Sequence, residues 1–275
     1  MQLSALEETA WLTIYCQSVA GERYALNKAF ADWMLEQVGK PSFAEGLAWR
    51  TVDGVALRSS LLDGLIEEEL RRLQATGERV SYWSLGAGFD YRWDRFHAYL
   101  GSTIHEYLEF DQPALLESKA RLLQDSPFRQ KYQQVRQHPG NLVHGLPDSL
   151  PATSGPVLVV LEGVIDYLGR EDKLRLLGAI KARAPRAVVV MDAMNRWAVD
   201  MNNRKSSEAT GSKKVGFSWA PESVEDFYRA EAGYQVLALR SLFRELLVRK
   251  NRLLRLLPLP ARIDKCSCLL KLSAS

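Results

Sequence analysis

Val80-Ser-Tyr-Trp-Ser-Leu-Gly-Ala-Gly-Phe-Asp90 reads as a strand running straight into a Gly-x-Gly turn with an acid behind it. A second apolar stretch, Ile104-His-Glu-Tyr-Leu-Glu-Phe-Asp111, also ends on an acid. That pairing is how an α/β sheet holds a nucleoside. Glycines let the backbone approach the ligand, and a carboxylate at the tip of the next strand accepts hydrogen bonds from ribose hydroxyls. Asp111 stands 25 residues past Gly86, near the spacing of about 20 expected for a ribose-binding acid. A dinucleotide fingerprint needs a third glycine opening the helix, and Tyr91 holds that position. A diphosphate is then a poor fit and an adenosine with an amino-acid tail a better one, which points to S-adenosylmethionine.

The rest of the composition narrows the class. A chain of 275 residues, 47% hydrophobic, can bury one large core, so a single α/β domain is expected. The net charge of +3 is too mild to imply a nucleic-acid partner, which shows a strongly basic face. Three cysteines, Cys16, Cys266 and Cys268, with no Cys-x-x-C, argue for a reducing compartment and against a disulfide framework or a zinc site. Cys266 and Cys268 alternate along an expected last strand and face one side as small core residues. Residues 1–9 lack the pattern of a secretory signal, and no apolar run approaches the 18 or more residues of a membrane span. A cytoplasmic protein with no membrane partner is expected, and no metal is called for.

The first 76 residues read as a helical cap, with helical spacing of apolar residues over 6–19, 24–38 and 55–75, the last ending at Gly77. From Val80 onward, over 77–275, strands alternate with helices. Strands are expected at 80–85, 104–111, 141–146, 157–161, 187–192, 234–240 and 266–272. Helices are expected at 112–124 and 171–184. The continuous runs Val157-Leu-Val-Val-Leu161 and Ala187-Val-Val-Val-Met191 suit central parallel strands covered on both faces. A helix between them completes a βαβ unit. The pattern predicts a Rossmann-like, mostly parallel seven-stranded sheet with helices on both faces. Residues 195–216, polar over 202–214, read as a solvated loop or a lid. A helix over 242–257 interleaves arginines with leucines. It reads as a core-packed amphipathic helix with a cationic face, and an RNA surface is the weaker reading.

These landmarks resemble the leucine carboxyl methyltransferase family of S-adenosylmethionine-dependent enzymes, which includes bacterial carboxyl O-methyltransferases of polyketide assembly. The resemblance rests on Arg58 and Asp63, on Leu85-Gly-Ala-Gly-Phe-Asp90, and on Glu109-Phe-Asp111-Gln-Pro with Lys119 after it. Glu162-Gly-Val-Ile-Asp-Tyr-Leu168 is its most specific element, and Phe217-Ser-Trp219 is a weaker echo. It implies that Arg58 pairs with the methionine carboxylate, that the backbone at Gly86 and Gly88 passes close to the cofactor, and that Asp111 binds the ribose. Glu162 would sit beside the methionine amino group. Read as plain structure, Arg58 is a helix-surface arginine and Asp111 a cap for the following helix. Glu162 would be costly unpartnered at the end of a buried strand.

The chain departs from the family pattern in two places. An Asp-Leu pair after the third strand is replaced by His144-Gly145-Leu146-Pro147-Asp148. Adenine contact is then left to Gly145 and Leu146 through backbone or apolar groups, or to Asp148. Gln17 stands where an arginine is usual, and Lys28-Ala29 where Asp-Pro is usual, in helices that form the acceptor pocket in the family. Gln17 and Tyr167 are the candidate acceptor contacts. A carboxylate acceptor is already ionised at neutral pH and needs no general base. A phenol or alcohol acceptor would need one, with His144 and Tyr167 the candidates. His105 alternates along a strand as a sheet-face residue. The expected activity is O-methylation of a carboxylate on a small-molecule, secondary-metabolite acceptor. The alternatives are hydroxyl methylation and a non-catalytic methyltransferase-fold partner in a biosynthetic complex.

Overall fold

Continuous burial marks the central strands. In the computed structural model, which describes residues 5–210 and 216–274, every residue of β1 (Val80–Leu85) and β4 (Val157–Leu161) is buried. Both strands are covered on both faces, and β1 buries Ser81 and Ser84 among its apolar residues. The other strands are β2 (Ile104–Asp111), β3 (Val135–Pro139), β5 (Ala187–Met194), β6 (Gln235–Ser241) and β7 (Ser267–Ser273). Their order is β3-β2-β1-β4-β5-β7-β6. β1, β2 and β3 run parallel, as do β4 and β5, while β7 is antiparallel to both β5 and β6. The α/β class and the mostly parallel seven-stranded sheet are those expected.

The chain divides into two compact units, Met1–Gly140 and Asn141–Ser275. The first holds α1 (Ala5–Ala20), α2 (Ala29–Val38), α3 (Trp49–Ala75), α4 (Arg92–Leu100), α5 (Pro113–Leu123), the single turn α6 (Arg129–Tyr132) and β1–β3. Its N-terminal helices share a core with the loop after β1, where Trp11, Ile14, Phe30 and Met34 pack with Phe89, Tyr91 and Leu115. Tyr91, the residue in the third-glycine position, fixes that join. Its ring stacks on Phe30 with centroids 3.7 Å apart. Its hydroxyl accepts from Phe30 N–H at 3.0 Å and donates to the Asn27 carbonyl at 3.2 Å.

The second unit holds α7 (Arg170–Arg183), α8 (Arg196–Thr210), α9 (Val224–Asp226) running into a π-helical turn (Phe227–Glu231), α10 (Leu242–Lys250), α11 (Ala261–Asp264) and β4–β7. All three cysteines are buried and free. No described helix is long and apolar enough to cross a membrane. Residues 1–4 of the stretch read for a signal sequence lie outside the described residues.

Several expected elements fall elsewhere. The third strand is 135–139, not 141–146. It lies at the sheet edge, half-buried, so its sequence Val-Arg-Gln-His-Pro is polar and ends on a proline that cannot continue a ladder. Residues 141–146 instead make a 3₁₀ turn, Leu142–His144, in which the Asn141 side chain accepts from Val143 N–H and Gly145 takes φ +91°. The second helix starts at Ala29 rather than 24 because Ala25 adopts φ +58° and breaks the chain direction. The third begins at Trp49, six residues before the expected 55.

Within the segment 195–216, the described residues Arg196–Thr210 form α8 and are not structureless. Asn195 caps α8 by accepting from Ala198 N–H at 3.0 Å, and Asn203 exchanges two hydrogen bonds with the backbone of Phe217. Residues 211–215 of the expected lid lie outside the described residues. The helix over 242–257 stops at Lys250, where Asn251 caps a new 3₁₀ turn, Arg252–Leu256. Leu253 and Leu256 are exposed there, not packed in a core. Cys266 precedes β7 rather than lying on it.

β2 and α5 are joined by a buried ion pair. Glu109 is fully buried and accepts from Lys119 Nζ at 2.8 Å, while the Tyr132 hydroxyl donates to the same oxygen. Lys119 also donates to the Asp90 carbonyl, so the pair pins the end of the glycine loop. Burial pushes the Glu109 carboxyl up, and the Lys119 ammonium opposes that. Lys119→Met leaves an unpaired buried carboxylate and is expected to cost about 3–5 kcal/mol in urea unfolding. Adding Glu109→Leu is expected to restore much of the loss.

Candidate functional site

In the first unit the parallel register of β1 and β2 brings Leu85 opposite Phe110, so both strands end at the same level. Gly86 then takes φ +72° and Gly88 φ +53°, conformations that L side chains rarely adopt. Gly86 and Ala87 donate their N–H groups to the Phe110 carbonyl. Gly88 N–H points to Asp111 Oδ2 at 2.7 Å, and the other Asp111 oxygen accepts from Gln112 N–H at 2.7 Å. Asp111 thus orders both the glycine turn and the entry to α5. Burial pushes its carboxyl up, and the two backbone amides oppose the shift. A carboxylate has about four acceptor sites, so two bonds leave room for ribose hydroxyls.

The acids around this loop are occupied. Asp90 accepts from Arg92 at 2.7 Å, and Asp63 accepts from Arg92 at 2.6 Å and from Arg95. Asp63, one of the landmarks on α3, is therefore a structural partner of α4. A charged cluster of this kind, built from two buried arginines, keeps the helix after the loop in place.

Arg58 and Gln17 meet at the α1–α3 contact. Gln17 is buried and donates from Nε2 to Ser59 Oγ at 3.1 Å. Half-buried Arg58 lies near Cys16, whose thiol burial pushes up to about 12 while the guanidinium pulls the other way. Further up α1, Ala10 lies 3.4 Å from where a Cβ on Gly88 would stand. Helix α1 therefore runs from the glycine turn to Arg58, about 9 Å at 1.5 Å per residue.

In the second unit Gly145 and Leu146 follow the 3₁₀ turn, and His144 is exposed on it. Asp148 meets Arg183 at 3.1 Å. Half-buried Glu162 directly follows β4, next to Gly163 at φ +64°. Tyr167 is half-buried and faces Phe217 with ring centroids 5.0 Å apart. His105 is exposed on β2.

Sequence reasoning missed Asp192, Asp166 and Lys173. Asp192 Oδ1 accepts from Gly163 N–H at 2.6 Å. Asp166 is buried, accepts from Met194 N–H at 3.0 Å, and lies 3.6 Å from buried Lys173. Burial pushes the Asp166 carboxyl up to about 7, against the pull of Lys173. The rule that selected Asp111, an acid closing a buried strand, would also have selected Asp192. Among the described residues no group of three or more acids, histidines or cysteines is placed to hold a metal.

These features match known proteins at the level of family and fold. No curated protein matches the sequence. Among solved structures, an enzyme described as a pericyclic reaction enzyme is 15% identical at TM-score 0.48, with 88% of this chain and 57% of that one covered. LepI in complex with S-adenosylmethionine is 15% identical at TM-score 0.43, with 71% and 43% covered. The methyltransferase domain of bacterial CtHen1 is 11% identical at TM-score 0.50, with 78% and 99% covered. This chain thus spans about half the length of the first two, and at these identities the likeness concerns the fold. The leucine carboxyl methyltransferase model matches residues 19–181, more than half of the sequence. The chain belongs to the leucine carboxyl methyltransferase family, a family of S-adenosylmethionine-dependent methyltransferases.

Proposed function

We propose that this protein transfers the methyl group of S-adenosylmethionine to a carboxylate of a small-molecule, secondary-metabolite acceptor. The observation that carries the cofactor half is the half-buried Asp111 carboxylate at the tip of β2, holding Gly88 N–H and keeping acceptor capacity in reserve. Gly86 and Gly88 keep the turn free of side chains where a nucleoside must approach. Arg58, one helix contact away along α1, is the proposed partner of the methionine carboxylate. For Gly145, Leu146 and Glu162 the proposal rests on the family resemblance, as it does for Gln17 and Tyr167 as acceptor contacts.

The carboxyl half rests on family membership and on the absence of any need for a base. The cofactor, when bound, supplies an electrophilic methyl group on a sulfonium. With an acceptor carboxylate already ionised, that transfer would ask no side chain of the protein to take up a proton. The acids beside the glycine turn suit that chemistry: Asp90, Asp63 and Glu109 are all tied to cations. The protein's task is positioning and water exclusion.

Arg58→Ala and Asp111→Ala are each expected to weaken S-adenosylhomocysteine binding about tenfold or more, since each removes charge-assisted hydrogen bonds. Calorimetric titration checks this beside a circular dichroism spectrum that stays native. Wild-type affinity in both variants would overturn the placement of the site. The methylated product is expected to release methanol in mild alkali, as an ester does. A product stable to that treatment is an ether and would move the reaction to a hydroxyl acceptor.

A further inference from the structure

Two buried carboxylates join the turn after β4 to the end of β5 in both directions. Asp192, on β5, accepts from Gly163 N–H of the turn at 2.6 Å. Asp166, at the far end of the same turn, accepts from Met194 N–H of β5 at 3.0 and 3.2 Å. Each segment thus gives an amide to a carboxylate on the other. Both acids are buried, at 7% and 4% exposure, where a carboxylate persists only with firm partners. The clasp is anchored outward as well. Lys173 of α7 lies 3.6 Å from Asp166 and donates to the Trp219 carbonyl at 2.5 Å, while Ser218 N–H donates to the Asp166 carbonyl at 2.9 Å.

Between the two carboxylates runs Glu162-Gly163-Val164-Ile165-Asp166. Ile165 is fully buried, and Gly163 holds φ +64°, so the turn is fixed at both ends and in its middle. Glu162, half-buried, stands at the head of this turn, directly before the glycine whose N–H Asp192 holds. We infer that Asp192 and Asp166 are positioning residues that hold Glu162 for the cofactor. The inference rests on the cofactor role proposed for Glu162. Neither acid touches the cofactor in this reading. Both act through the turn, so their removal must lose its effect once Glu162 is gone.

That dependence supplies the test, on the full chain with S-adenosylhomocysteine affinity as the readout and urea unfolding alongside. Glu162→Gln is expected to weaken binding about tenfold or more, as the loss of a charge-assisted contact does. Asp192→Ala is expected to weaken it comparably, whereas Asp192→Asn keeps an oxygen acceptor for Gly163 N–H and stays within about threefold of wild type. The double variant Glu162→Gln/Asp192→Ala is expected to bind no worse than Glu162→Gln alone, since coupled residues are not additive. Asp192→Ser, with a hydroxyl too short to reach Gly163, replaces Asp192→Ala if the latter does not fold. A weakened Glu162→Gln beside an unaffected Asp192→Ala overturns the positioning role and leaves the cofactor role intact. Fully additive losses in the double variant overturn it too, because Asp192 then acts independently of Glu162. Wild-type affinity in Glu162→Gln refutes the cofactor role itself and the clasp's function with it.

Discussion

One interaction recurs in both units and the rest is arranged to protect it. A carboxylate at or near the end of a strand accepts the N–H of a positive-φ glycine in the turn that follows the neighbouring parallel strand. In the first unit it joins Asp111 to Gly88, and in the second Asp192 to Gly163. Backbone N–H groups at strand ends have lost their ladder partners and must be satisfied elsewhere. A carboxylate there answers that need with a charge-assisted bond, stronger than a neutral one, and fixes the turn in one conformation. It also stands at the edge of the sheet where α/β folds bind ligands.

Burying such carboxylates is costly, and the surroundings are built to offset that cost. Around the Asp111 turn, Lys119 links buried Glu109 to the Asp90 carbonyl, and Arg92 and Arg95 hold Asp63 and Asp90. Around the Asp192 turn, Lys173 plays the corresponding part beside Asp166. Isolated charges at these depths would be neutralised rather than kept. Tyr91 adds an apolar constraint, since its stack on Phe30 and its two hydroxyl bonds lock α2 to the end of the glycine loop. In a dinucleotide fold that position must be small to admit a diphosphate. Here a large side chain ties the N-terminal helices to the loop instead.

The sequence was legible where burial made the pattern obvious. β1 and β4 are buried throughout because both faces are covered, and their ends could be read to the residue. β3 was missed because an edge strand may be polar, and the apolar-looking Leu142-Val143 next to it belongs to an Asn-capped turn. α8 was read as a loop because its polar composition hides a cap, Asn195, that acts through a single oxygen. At the site, glycines and strand-end acids announced themselves. What did not was the difference between an acid that meets a ligand and one that meets an arginine. Asp63 and Asp90 look as available as Asp111 until their partners are placed.

That distinction bears on the chemistry. A general base must be poised to gain a proton, which requires a carboxylate or imidazole with a tuned pKa and an open face. Around the glycine turn Asp63, Asp90 and Glu109 are instead engaged by cations, and His105 and His144 are exposed. Ion pairs of this kind fix side chains and backbone in place, which suits the orienting of reactants in the proposed reaction. Methyl transfer to a carboxylate asks for orientation alone, because the nucleophile arrives ionised. In the proposed reaction, the density of groups that fix backbone geometry therefore matters most, because catalysis then depends on where the chain holds its partners.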